Sequence, residues 1–238
     1  MNLGDDASKP DYDRDAPPSG YPQPADDAKV ITEILGRLII TEGKSVILIG
    51  HSSGGFTATA SAIPELQAKN RMTAGASGGI IGVFYVCGFV VPVGESVNSF
   101  FQPKDGSPPV VPPVVPPYCE FHKHGMAGLA STKEGAKYFF NGLDQSQAEH
   151  YESMLTASPV FHTILENDVY AALPCLYLVT ENDLALPATY QEGMVALQSQ
   201  RPEVDIGVVR CASGHSPHLA WTEGLVAEVQ KFGETLLG

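Results

Sequence analysis

The chain has 238 residues, 43% of them hydrophobic, which suffices for one domain with a substantial core and an inserted subdomain but not for two independent domains. Fourteen basic against 27 acidic residues give a net charge of −13, which repels phosphate backbones and anionic membranes and argues against nucleic acid or a membrane as partner. Four scattered cysteines without a C-x-x-C pair, an amino terminus without a signal-peptide pattern and no uninterrupted apolar stretch of about 18 residues exclude a disulfide framework and a membrane span, leaving a cytoplasmic protein as the expectation.

Residues 1–25 combine Pro10, Pro17, Pro18, Pro22 and Pro24 with acidic residues and read as an extended arm. From Asp26 or Asp27 the spacing of Val30, Ile31, Ile34, Leu35, Leu38 and Ile39 predicts a helix closed by Gly43. A strand at 45–49, a helix near 55–69 ended at Lys69-Asn70-Arg71, and a strand from Ile80 to Cys87 come next. Regular alternation then stops until about Leu173. It resumes with a strand over Leu176 to Thr180, a helix over Ala188 to Leu197, a strand from Val204 to Cys211 and a helix from Leu219 to Leu236. Alternating strands and helices predict an α/β fold with a mostly parallel sheet and flanking helices. The core comprises 26–98 and 166–238, and 99–165 form an inserted lid with a helix over Asp144 to Leu155.

The chemistry concentrates at Gly50-His51-Ser52-Ser53-Gly54-Gly55, directly after the apolar run Val46 to Ile49. A G-x-S-x-G turn from strand to helix exposes the serine hydroxyl, with Gly50 and Gly54 removing side chains that would clash, so Ser52 is the candidate nucleophile. Asp183 just past the strand ending at Thr180 and His215 just past the strand ending at Cys211 supply a carboxylate and an imidazole in the order this chemistry uses. Carboxyl ends of parallel strands face one crevice, so Ser52, Asp183 and His215 can converge despite their separation in sequence. The N–H of Ser53 is the candidate oxyanion donor. Glu181, Asp168 and Glu95 compete with Asp183, and His218 with His215; His51 reads as a structural hydrogen-bonding residue.

Other signals are weaker. The run 108–117, with its repeated Pro-Pro pairs, reads as a stiff polyproline-like connector, with a P-x-x-P docking peptide as the rival. Cys119, His122 and His124 offer three zinc ligands without a fourth. Phe100, Phe101, Phe139 and Phe140, together with Tyr118 and Phe121, are candidates to line an apolar substrate pocket or to form the core of the lid.

These residues, with Arg71 and Gly75 to Gly82, Tyr85 to Gly94, Phe140-Asn141-Gly142-Leu143, Tyr177 to Asp183 with Leu186-Pro187, and Gly214-His215-Ser216-Pro217, give the chain a form that resembles the α/β-hydrolase superfamily, in particular its lidded esterase-like branch of fungi and bacteria. The resemblance runs from about Asp26 to the end. It implies an eight-stranded sheet, a lid after the strand at 80–87, the triad of Ser52, Asp183 and His215, and neither metal nor organic cofactor. It also implies strands and an HG-type oxyanion loop before the nucleophile strand, where this chain has only the arm and one helix. The expectation is therefore an amino-terminally truncated version of the fold, with the strand at 45–49 exposed at an edge open to pairing with a second copy. The implied activity is hydrolysis of small, apolar carboxyl esters or lactones through an acyl-enzyme. The rivals are a lyase or cyclase variant of the same fold and a catalytically weak or inactive small-molecule-binding scaffold.

Overall fold

The computed structural model of the chain describes residues 15–102 and 115–238; residues 1–14 of the expected arm and 108–114 of the proline run lie outside the described residues. Helix α1 (Pro24–Gly36) starts two residues before Asp26 because Pro24 takes the first helical position, where a fixed φ fits and no N–H is needed. The Asp26 carboxylate accepts the Gln23 N–H at 2.8 Å. The helix widens into a π-turn (Arg37–Thr41), and Gly43 at φ +65° turns the chain into strand β1 (Ser45–His51).

The single helix expected near 55–69 is in fact three pieces. Helix α2 (Gly54–Ser61) stops before a 3-10 turn at Pro64–Leu66, and α3 (Ala68–Thr73) comes after it. Pro64 lacks an N–H and pushes the residue before it out of helical conformation, so the break lies there, and Lys69-Asn70-Arg71 is itself helical. Strand β2 (Gly79–Val86) and the short helix α4 (Val97–Phe100) come next.

Between α4 and the second half of the main sheet, the chain builds a separate antiparallel sheet from β3 (Cys119–Phe121), β4 (Leu129–Thr132) and β5 (Ser158–Pro159), in that order. Helices α5 (Gly135–Tyr138) and α6 (Gln145–Glu152) lie between β4 and β5 in sequence, and Asp144 caps α6 by accepting the Gln147 N–H at 3.0 Å. Strand β6 (Cys175–Thr180), helix α7 (Ala188–Gln198), strand β7 (Ile206–Cys211), helix α8 (Pro217–Ala220) and helix α9 (Thr222–Leu237) complete the chain.

The main sheet is parallel throughout, in the order β1-β2-β6-β7. Its two central strands are buried along almost their whole length, as the near-continuous apolar sequences of β2 and β6 require when helices cover both faces. On one face Val83, Tyr85, Tyr177 and Val179 join Leu35 and Ile39 of the first helix, Phe56 of α2 and Met194 of α7 in the larger core. On the other, Phe84, Val86 and Leu178 meet Phe232 of α9. Where the resemblance implies eight strands, the described residues form four in this sheet, and β1 is an edge strand with Ile49 53% exposed.

Candidate active site

Three loops at the carboxyl ends of β1, β6 and β7 meet at one rim of the sheet. At the first, the chain turns from β1 into α2 so sharply that Ser52 adopts φ +53°, a left-handed conformation that is rare for a residue with a side chain. The turn is held by main-chain bonds: Ser52 N–H donates to Val86 at 3.1 Å, and its carbonyl accepts from Gly55 and Phe89, each at 3.0 Å. Glycines supply the room, though not both of those expected. A Cβ on Gly50 would lie 2.7 Å from the Gly54 carbonyl oxygen, and one on Gly55 would lie 2.8 Å from the Phe89 nitrogen, whereas a Cβ on Gly54 would meet open space.

The Ser52 hydroxyl lies 2.9 Å from Nε2 of His215, and Nδ1 of His215 lies 2.8 Å from Oδ2 of Asp183. Because a carboxylate only accepts, Nδ1 carries the proton and Nε2 is left to accept from the serine. Both Asp183 and His215 are buried, at 4% and 2% exposure. Oδ1 of Asp183 accepts the N–H groups of Ala185 at 2.9 Å and Leu186 at 2.8 Å, and Oδ2 accepts the Thr180 hydroxyl at 2.8 Å. Ser53 stands at the N-cap of α2, next to the serine hydroxyl and at the positive end of that helix.

The competing acids are engaged elsewhere. Glu95 accepts from Ser99 at 2.6 Å, Asp168 pairs with Arg201, and Glu181 is exposed. His51 donates from Nε2 to the His215 carbonyl at 2.7 Å, and its ring lies between those of His215 and His218, 4.9 and 4.8 Å away. Burial, reinforced by the neighbouring His215, lowers the His51 pKa to about 4; burial also lowers that of His218.

A cavity of about 650 Å³ opens at this rim, bounded by the loops above and by the antiparallel sheet. Ser52, Ser53 and His215 border it, with Phe89, Phe101, Tyr118, Phe121 and Phe139 among its apolar walls. Of the four phenylalanines expected there, Phe100 and Phe140 do not belong to the lining. Phe100 packs against the larger core, and Phe140 sits 5.5 Å from the ring of Tyr151. Both pairs straddle or follow a helix end, and within each the two rings point in different directions, one into the cavity and one into packing.

The ligand atoms of His51, Cys87 and His215 fall within 4.8 Å of one another, but the donor set does not suit a metal. Both ring nitrogens of His215 and Nε2 of His51 are already hydrogen-bonded, and burial pushes the Cys87 thiol up, against the thiolate that ligation needs. Cys119, His122 and His124 are not brought together among the described residues: Nε2 of His122 bonds to Ser131, and Nε2 of His124 to Asp15.

Four further residues make contacts around these three loops that no motif specified, although the sequence marked Tyr118 and Phe139 as pocket candidates and Cys87 and Asn141 as parts of the stretches that carry the resemblance. Cys87, at φ +36° just past β2, places its Sγ 3.4 Å from the His215 carbonyl. Asn141 donates to the Asn182 carbonyl at 2.7 Å, and the Tyr118 hydroxyl to that of Ala185 at 3.1 Å, so the inserted segment is fastened to the acid loop at two points. Phe139 stands edge-on to His215, with centroids 5.1 Å apart.

The profile of the Alpha/beta hydrolase family matches residues 3–228. Among curated proteins, an alpha/beta hydrolase of Aspergillus novofumigatus, nvfD, is 27% identical over 206 residues, covering 85% of this chain and 76% of its own length. Among solved structures, a pyrethroid hydrolase from Sphingobium faniae JZ-2 superimposes with a TM-score of 0.66 at 18% identity, covering 90% of this chain and 78% of the hydrolase. Polyneuridine aldehyde esterase gives 0.61 at 15% identity, with 89% and 80% covered. At such identities the structural matches establish the shared fold.

Proposed function

The chain belongs to the alpha/beta hydrolase family, and from that membership we propose that it is a serine hydrolase of small, largely apolar carboxyl esters or lactones, working through an acyl-enzyme on Ser52. The observation that carries this reading is the unbroken hydrogen-bond order from Ser52 to His215 to Asp183 at the floor of an apolar cavity.

In this reading His215 Nε2 takes the serine proton as Oγ attacks the ester carbonyl. Asp183 stabilises the imidazolium that forms, and the Ser53 N–H faces the developing oxyanion. Collapse expels the alcohol, which takes the proton back from Nε2. Water then repeats the sequence on the acyl-enzyme, releasing the acid and restoring the serine. The cavity walls supply apolar contact for the acyl or alcohol group and keep bulk water from the imidazole. Two structural relatives are by name a pyrethroid hydrolase and an esterase, which supports ester cleavage.

The test is covalent labelling with a fluorophosphonate, followed by hydrolysis of p-nitrophenyl butyrate. Labelling that disappears in Ser52→Ala, with turnover falling at least about 10³-fold, is the expected result. Folded protein that takes no label points instead to a binding scaffold. Labelling without release of a free acid points to a lyase or cyclase use of the same residues.

A further inference from the structure

We propose that Gln191 is a positioning residue, which through Thr180 holds Asp183 in the orientation that meets the imidazole of His215. The inference rests on the serine-hydrolase reading for what the pair does, although the geometry stands without it.

Gln191 lies on the core-facing side of α7 and is fully buried. A carboxamide in such a place is costly unless its groups are bonded, and a residue that merely filled the helix face would be apolar, as Met194 is one turn later. Its bonds instead all run to one short stretch of chain. Oε1 accepts the Thr180 N–H at 3.1 Å, while Nε2 donates to the Leu186 carbonyl at 2.7 Å and the Thr180 hydroxyl at 2.9 Å, and lies 3.2 Å from Oδ2 of Asp183. The ladder between β2 and β6 ends at Leu178, so Gln191 does for the end of β6 what a neighbouring strand does farther back.

The direction of these bonds is what matters for the acid. The Thr180 oxygen accepts from the Gln191 amide, which commits the hydroxyl hydrogen to Oδ2 of Asp183. The carboxylate is then held by two main-chain N–H groups on Oδ1 and by Thr180 and His215 on Oδ2, with the Gln191 amide, whose two hydrogens go to Leu186 and Thr180, packed beside Oδ2. Donors on both oxygens fix the plane of the carboxylate. The other titratable groups facing Asp183 are His51, Cys87, Tyr118 and Tyr177. Burial raises the pKa of the thiol and of both phenols, so these three stay protonated and neutral through the range in which a hydrolase is assayed.

Three variants test the assignment. Gln191→Glu keeps the shape, replaces a donor by an oxygen and sets a second carboxyl beside Asp183. Thr180→Val removes the relay hydroxyl at constant volume, whereas Thr180→Ser keeps it. Each is measured by the rate of fluorophosphonate labelling against pH, by kcat and KM for p-nitrophenyl butyrate, and by the low-field proton NMR signal of the His215 Nδ1–H. Gln191→Glu and Thr180→Val are expected to lower kcat at least about tenfold with little change in KM, the scale of losing a hydrogen bond to a charged group. Both should also displace or broaden the Nδ1–H signal. In Gln191→Glu the acid limb of the pH profile moves to higher pH, because two carboxyls in contact retain a proton longer. Thr180→Ser should behave as the native protein.

Wild-type rates, an unmoved acid limb and an unchanged proton signal in folded Gln191→Glu or Thr180→Val would overturn the proposal. Should the native protein take no label while its Nδ1–H signal still shifts in these variants, the positioning role stands and the hydrolase reading fails.

Discussion

His51 occupies the variable position of the elbow, and its ring adds to the Ser52–His215 bond a second link between the serine loop and the histidine loop: Nε2 holds the His215 carbonyl while the ring touches His215 on one side and His218 on the other. The folded state resists charging it, with a pKa of about 4 against an ordinary value of 6.5. Between those values the unfolded chain binds a proton that the folded chain does not, so stability rises with pH across this window. The contribution is fully present above pH 6.5 and is lost as the pH falls toward 4. A displacement of this size corresponds to about 3 kcal/mol at the acid limit. His218 is shifted in the same direction and adds to the slope. Urea denaturation at a series of pH values should show the native protein losing stability between pH 6.5 and 4, and His51→Gln, which keeps a donor for the His215 carbonyl, should lose markedly less. Equal slopes in the two proteins would show that the acid sensitivity originates elsewhere.

Between elements, Asn141, in the loop between α5 and α6, packs tightly against Gly214, the residue before His215. A Cβ on Gly214 would collide with both the carboxamide oxygen and the main-chain carbonyl oxygen of Asn141. Gly214→Ala should therefore destabilise the protein by about 1–3 kcal/mol, the usual cost of overpacking, and slow acylation by moving the imidazole. Adding Asn141→Gly removes only one of the two obstructions, so thermal melting and labelling should recover in part; full recovery would mean that the main-chain contact is not a constraint. The sequence marked Asn141 and Gly214 only as parts of separate stretches that carry the family resemblance, and nothing in it showed that the two touch. The strands of the main sheet were legible, because β2 and β6 are long apolar runs, and the loops that carry Ser52, Asp183 and His215 could be located simply from the ends of their strands. The antiparallel sheet was not, since strands of three, four and two residues are too short to display an alternation. Gln191 escaped for a different reason: a glutamine on an amphipathic helix looks like surface until the fold shows which way it points.

The molecule as a whole brings two unlike parts together around one space. A parallel sheet with helices on both faces carries Ser52, Asp183 and His215 at its rim, and a small antiparallel sheet borders the cavity beside them with aromatic side chains. The net charge of −13 disfavours anionic substrates at long range, while the walls reward apolar ones at contact. Each methylene moved from water into such a cavity contributes about 0.8 kcal/mol, or roughly a fourfold gain in kcat/KM. Along a series of p-nitrophenyl esters from acetate to hexanoate, kcat/KM should thus climb by up to that factor per methylene until the roughly 650 Å³ space no longer accommodates the chain. A carboxylate at the far end of the acyl group should reverse the gain, because the ion would have to leave water for an apolar wall inside an acidic protein. Raising the ionic strength should restore only the long-range part of that loss, since a Debye length of about 8 Å at 0.15 M screens the surface but not the cavity. If kcat/KM instead fell with each added methylene, the cavity would not be where the acyl chain goes, and the alcohol side of the ester would have to occupy it.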